Sequence, residues 1–139
     1  MTWRLALDHD VSSVPLARHW LMQLCHEHAI DPDLYDVLAL LSTELVANAV
    51  LHGAAPVEVS VSLTGAPESG TVEPGVGVVV ACTDGSPQLP TVKKVPVEAT
   101  GGRGVALIDL LASAWGAQSQ VGGKRVWFRL NSTGSTTMP

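Results

Sequence analysis

The spacing of apolar residues changes twice along the chain, and each change marks a change of element. TWRLAL (2–7) alternates apolar and polar positions and predicts a short strand. LARHWLMQLCHEHAI (16–30) carries its apolar residues at helical spacing. Ser12 or Ser13 can cap that helix, with Pro15 in its first turn. DPD (31–33) breaks the pattern and can start a second helix, whose periodicity runs from Leu34 to Leu51 before Gly53 ends it.

Alternation then returns. PVEVSVSL (56–63) predicts a half-buried strand, and GAPESGTVEPG (65–75) a turn-rich hairpin connection. VGVVVACTD (76–84) is an almost continuous β-branched run, which predicts a central strand buried on both faces. The stretch from 85 to 104, rich in proline and glycine, has no period; inside a compact domain such a segment is usually a functional lid or binding loop. VALIDLLASAW (105–115) predicts a third helix. AQSQV and KRVWFRL, joined by Gly122-Gly123, predict a last hairpin, and 131–139 a frayed polar tail.

The predicted order is β-α-α-β-β-loop-α-β-β. Hairpin-paired strands with helices on one face make an α+β two-layer sandwich in a single domain, 1–139. A dinucleotide-binding α/β fold is excluded, because no strand–glycine loop–helix unit opens the chain.

Composition narrows the function classes. Of the 139 residues 46% are hydrophobic, which excludes a disordered chain, and only 4% are aromatic, so the core rests on Val, Leu and Ala. The formal net charge of −5 argues against a broad nucleic-acid surface. The basic pairs Lys93-Lys94 and Lys124-Arg125 are expected on a solvated face. Cys25 and Cys82 sit in apolar runs without metal-ligand spacing, as reduced thiols do. With no signal peptide, and no apolar run of the length a bilayer span needs, the expected location is the cytoplasm, away from membranes.

Three islands carry chemistry. Glu44 and Asn48 are four residues apart, so a helix places them on one side, one turn apart. Asn48 offers a carbonyl oxygen of the kind Mg²⁺ accepts beside water and substrate phosphates, and Glu44 can deprotonate a hydroxyl or water. An exposed polar helix face is the competing reading. Asp84 closes the apolar strand, where its carboxylate can accept a hydrogen bond from an exocyclic amine; an Asp-Gly turn gives the same sequence. Gly101-Gly102-Arg103-Gly104 precedes a helix, where backbone N–H groups and the helix dipole favour a phosphate; a turn needing positive φ also fits. His26-Glu27-His28 lacks the helical zinc spacing and reads as helix surface.

Taken together, ELVANAVLHG, DGSPQLP and GGRGVALIDLLASAWG resemble the N-box and the two glycine boxes of the Bergerat-fold (GHKL) ATPases. That superfamily includes DNA gyrase and the histidine-kinase catalytic domain. The small bacterial anti-sigma-factor serine/threonine kinase-like proteins are the most similar branch, and GGKRVWFRL resembles their last strands. The resemblance implies a mostly antiparallel mixed sheet covered by three helices, ATP and Mg²⁺ as cofactors, and a homodimer. By position, Glu44 matches the general base, Asn48 the Mg²⁺ ligand, and His52 lies one turn on, near the phosphates. Asp84 matches the adenine reader, followed by Gly85 and Ser86. Gly102, Arg103, Gly104, Val105 and Ala106 match the phosphate-cradling second box, and 85–101 the ATP lid. Two positions depart from the pattern: Ser86-Pro87 interrupt the Asp-x-Gly-x-Gly box, and Arg125 stands near where many members carry the threonine that holds the aspartate.

The implied function is a protein serine/threonine kinase that phosphorylates a serine of an antagonist protein and binds a sigma factor or similar regulator. A non-catalytic nucleotide-sensing binding module is the alternative. A detached histidine-kinase ATPase domain, phosphorylating histidine, is a third.

Overall fold

The computed structural model describes residues 1–64, 77–89 and 103–131. Five strands form one sheet: β1 Thr2–Leu7, β2 Val57–Thr64, β3 Gly77–Asp84, β4 Ala114–Gln120 and β5 Gly123–Asn131. Their order is β1-β2-β3-β5-β4, and every described pairing is antiparallel. Helices α1 Ser13–Glu27, α2 Tyr35–His52 and α3 Arg103–Leu111 complete the expected α+β two-layer sandwich. Both the hairpin connection at 65–75 and most of the lid, with the tail after Asn131, lie outside the described residues.

Alternation decides which sheet face meets the helices. Trp3, Val61, Val80, Phe128 and Trp115 are successive register partners across the sheet, as are Leu5, Val59, Cys82, Val126 and Ala117. These rows pack into a core with Leu21, Leu38, Leu41, Leu45 and Ile108 from the helices. Each fully buried Val, Leu or Phe side chain contributes about 1.5–3 kcal/mol, so the layer contact dominates stability. The opposite face carries Ser60, Ser62, Val79 and Arg129. On it β3 buries Ala81 and half-buries Val79 and Thr83, so burial on both faces is partial.

Several boundaries differ from the sequence expectation. Ser12 does not cap α1 through its side chain; its hydroxyl and N–H both donate to the Asp10 carboxylate, while the buried Ser13 hydroxyl donates 2.7 Å to the Asp8 carbonyl. The helix stops at Glu27, and Ala29 takes a left-handed φ of 54° that turns the chain toward the short 3₁₀ turn Pro32–Leu34. α3 ends at Leu111, and Trp115 lies in β4 because the strand ladder to β5 outcompetes another helical turn. There its indole N–H still reaches back 2.7 Å to Asp109. The last hairpin turns at Val121-Gly122, with Gly122 at φ 82°, and Gly123 already belongs to β5.

The expectation about bilayer length also needs correcting. Pro32–His52 has the length and apolarity to cross a membrane, with a mean hydropathy of 1.5 over its window. In the fold it is the central helix. Leu38, Leu41, Leu45, Val46, Ala49 and Val50 are buried, and it packs between α1 and α3 and over β3. Its all-round apolarity is that of a helix with neighbours on several sides.

Candidate functional site

α2 carries the first island. Leu45, Val46, Ala49 and Val50 point into the core, so the helical period leaves Glu44 and Asn48 half-buried and His52 exposed in its last turn. Neither the Glu44 nor the Asn48 side chain has a hydrogen-bond partner among the described residues. A carboxylate and a carboxamide one turn apart are therefore open to a hydroxyl, a water or a cation. Asn48 suits Mg²⁺, which takes one or two protein oxygens and keeps waters and phosphate oxygens for the rest.

The helix ends where β3 ends. Gly53, the residue after His52, lies against the Asp84 carboxylate so closely that a Cβ there would come within 2.6 Å of Asp84 Cγ and 2.7 Å of Oδ2. Only a residue without a side chain permits this approach. Next along each strand of chain, the Gly85 N–H donates 2.6 Å to the Ala54 carbonyl, tying the two ends together. At 1.5 Å of rise per residue, Asn48 sits about 7–8 Å along the helix axis from this junction. The first and second islands thus lie along one helix end.

Asp84 is almost fully buried, and its carboxylate is held from two directions. The Ser86 N–H donates 2.8 Å to Oδ1 in an Asx turn, and the Lys124 ammonium lies 3.1 Å from Oδ2 and 3.3 Å from Oδ1. Lys124 is 3% exposed, so the expected solvated face is overturned for this residue: strand alternation turns it inward opposite Asp84. Arg125 is opposite Thr83 on the other face, so it is Lys124 that neighbours the aspartate. Gly85 and Ser86 use their own N–H groups to shape this corner.

Behind the carboxylate, Cys82 is 2% exposed. Its thiol is pushed up to about 12, first by burial and then by the Asp84 charge, with Lys124 acting in the opposite direction. Burial alone pushes Cys25 up to about 11. Both are neutral core groups at neutral pH, as the sequence suggests.

The third island is placed in part. Gly102 lies outside the described residues; Arg103 and Gly104 open α3, Val105 is buried and Ala106 half-buried. The first turn of α3 offers backbone N–H groups that no helical carbonyl satisfies. His26 and His28 are exposed; His26 meets Tyr35 edge-on at 5.0 Å and His28 lies tilted by 39° against Trp3 at 4.3 Å between ring centroids.

Residues 7–130 match the model of the histidine kinase-like ATPase domain. The chain belongs to that family. The match spans all three islands and both layers of the sandwich, and it supports an ATP-binding regulatory function, with ATP as the nucleotide and Mg²⁺ as its usual companion. A search of curated proteins finds no match.

Lys124 and Gly53 were missed as site residues in this ATPase domain. For Lys124 the signal was present: in GGKRVWFRL, Lys124 shares its parity with Val126, Phe128 and Leu130, all core residues. Gly53 gives no such signal, because a helix-ending glycine needs no further reason.

Proposed function

We propose that this histidine kinase-like ATPase domain is a regulatory protein serine/threonine kinase of the anti-sigma-factor type. It transfers the γ-phosphate of ATP to a serine of an antagonist protein and binds a sigma factor or similar regulator, as a cytoplasmic homodimer. The observation that carries this reading is the Glu44–Asn48 pair on α2, half-buried and with no side-chain hydrogen-bond partner among the described residues, one helix end away from Asp84.

In this reading Glu44 accepts the proton of the acceptor hydroxyl, Asn48 holds Mg²⁺ and Asp84 reads the adenine amino group. His52, Arg103, Gly104 and the first turn of α3 flank the phosphates. Mg²⁺ supplies charge neutralisation, and phosphoryl transfer then depends chiefly on positioning. Mere nucleotide binding has no use for a general base, which favours a catalytic function over simple sensing.

The test is radiolabel transfer from ATP to serine on candidate partner proteins, with Glu44→Gln as control. Acid-stable phosphoserine made by wild type and lost in Glu44→Gln supports the kinase. Phosphohistidine, which is acid-labile, would instead support a detached histidine-kinase ATPase domain.

A second reading is a nucleotide-sensing module that sequesters its partner without phosphorylating it. Pro87, in place of an N–H donor at the lid root, and the Lys124 contact on Asp84 favour this alternative. ATP-dependent partner binding without any phosphate transfer would decide for it.

A further inference from the structure

We propose that the solvent-facing side of the sheet, centred on Trp127, is a docking surface for an acidic, extended segment of a protein partner. The inference is independent of the nucleotide reading, because Asp84 lies on the opposite face of the sheet.

Alternation and register define the surface. Arg4, Ser60, Ala81, Trp127 and Gly116 are successive partners across the sheet, on the face away from the helices. On either side of Trp127 along β5, Arg125 and Arg129 point the same way, about 13 Å apart at the rise of a strand. The indole lies flat on the neighbouring strand: a Cβ on Gly116 would come within 2.8 Å of Trp127 Nε1 and 3.0 Å of Cε2. Trp127 therefore covers the backbone of β4 and is only half-buried.

The open polar groups decide the class of partner. The Trp127 indole N–H and the Arg125 guanidinium have no hydrogen-bond or ion-pair partner among the described residues, although both residues are half-buried. Arg129 donates from Nε to Asn131 Oδ1 at 2.6 Å, and its other N–H groups have no partner among the described residues. All of these are donors that cannot accept. A matching surface must supply acceptors with negative charge, as carboxylates do. Among the described residues of this face the one carboxylate, Glu58, is turned to Arg4 at 3.7 Å. The face is thus positive on a chain whose formal net charge is −5. Tryptophan and arginine are also the side chains on which binding energy concentrates at interfaces.

The spacing selects an extended segment. In an extended chain, side chains four positions apart lie on one side, about 13 Å from each other, as Arg125 and Arg129 do. Laid along β5, such a segment sets two carboxylates on the two guanidiniums and a residue between them over the indole. Nucleic acid fits less well. The net charge opposes a phosphate backbone, and one ring gives no run of stacked bases.

Fluorescence anisotropy of a labelled peptide of alternating glutamate and threonine, titrated with the full chain at low salt, tests this. The same peptide with glutamine for glutamate, and a single-stranded RNA of equal charge, are the comparisons. Wild type is expected to bind the acidic peptide alone, and more weakly as salt rises. Arg125→Glu should weaken binding by about tenfold or more, and Trp127→Phe, which keeps a ring but loses the N–H, by about fivefold. If Arg125→Glu lowers the melting temperature, Arg125→Gln serves, because it removes the charge alone.

No binding of the acidic peptide, or unchanged binding by either folded variant, overturns the inference. RNA bound as tightly as the peptide would make this a nucleic-acid surface and overturns it too. So would a wild-type dimer in sedimentation that Arg125→Glu dissociates, since a second copy of the chain would then occupy the face.

Discussion

Asp84 and Lys124 are register partners on adjacent antiparallel strands and form a buried ion pair, with Nζ 3.1 Å from Oδ2. The pair sits at the end of the inward-facing rows that elsewhere are apolar. Such a pair adds little net stability when intact, because desolvation offsets most of the Coulomb gain. Breaking it is another matter, since a buried charge is then left alone.

Single substitutions at this pair should therefore cost more than the double. Lys124→Met or Asp84→Asn alone is expected to lose about 3–5 kcal/mol, and Asp84→Asn with Lys124→Met to recover a large part of it. Urea unfolding of the four proteins closes the cycle; additive losses would mean the two side chains do not depend on one another.

Gly53→Ala tests the junction of α2 with β3. Its Cβ would lie 2.5 Å from the Ala49 carbonyl oxygen and 2.6 Å from Asp84 Cγ, so either the helix end or the carboxylate must move. Overpacking of this kind costs about 1–3 kcal/mol. Thermal melting should show the loss, and ATP affinity should fall with it. Unchanged melting would mean that the corner is not rigid.

Asn48→Ala and Glu44→Gln should separate binding from chemistry. Asn48→Ala is expected to abolish the Mg²⁺ dependence of ATP binding. Glu44→Gln should leave that dependence intact while lowering phosphate transfer by about 10²–10⁴-fold, the range of a general base. Titration with and without Mg²⁺, beside a transfer assay, measures both. Equal loss of binding in the two variants would assign them one shared structural role.

Alkaline pH should weaken the fold through Cys82. Its thiol rises from the ordinary 9.0 to about 12 in the folded state. The folded state thus holds its proton where the unfolded chain releases it. Stability is fully present below pH 9.0 and is lost as pH climbs toward about 12. Between pH 8 and 10.5, wild type should lose about 2 kcal/mol more than Cys82→Ala, at 1.36 kcal/mol per unit. Urea midpoints at the two pH values measure the difference, and parallel losses would mean that Cys82 ionises freely.

The sequence by itself determined the element order, the layer architecture and the location of the three islands. Hydrophobic period is a local property: VEVSVS alternates and LALLSTELVANAV does not, whatever surrounds them. The Glu44–Asn48 stripe was legible for the same reason, since one helix fixes both side chains. Element ends were less legible, because helix and strand compete there for the same residues. Trp115 joined β4 once β5 offered it a ladder.

Only the tertiary structure decided what stands beside Asp84. The β3–β5 register chose Lys124 over Arg125, pairing Asp84 with Lys124 and Thr83 with Arg125, and a slip of one residue between these strands would exchange their faces. The contact of Gly53 with the carboxylate likewise joins residues far apart in the chain. Burial then gives the Asp84–Lys124 pair its significance: the same two residues in water would scarcely interact.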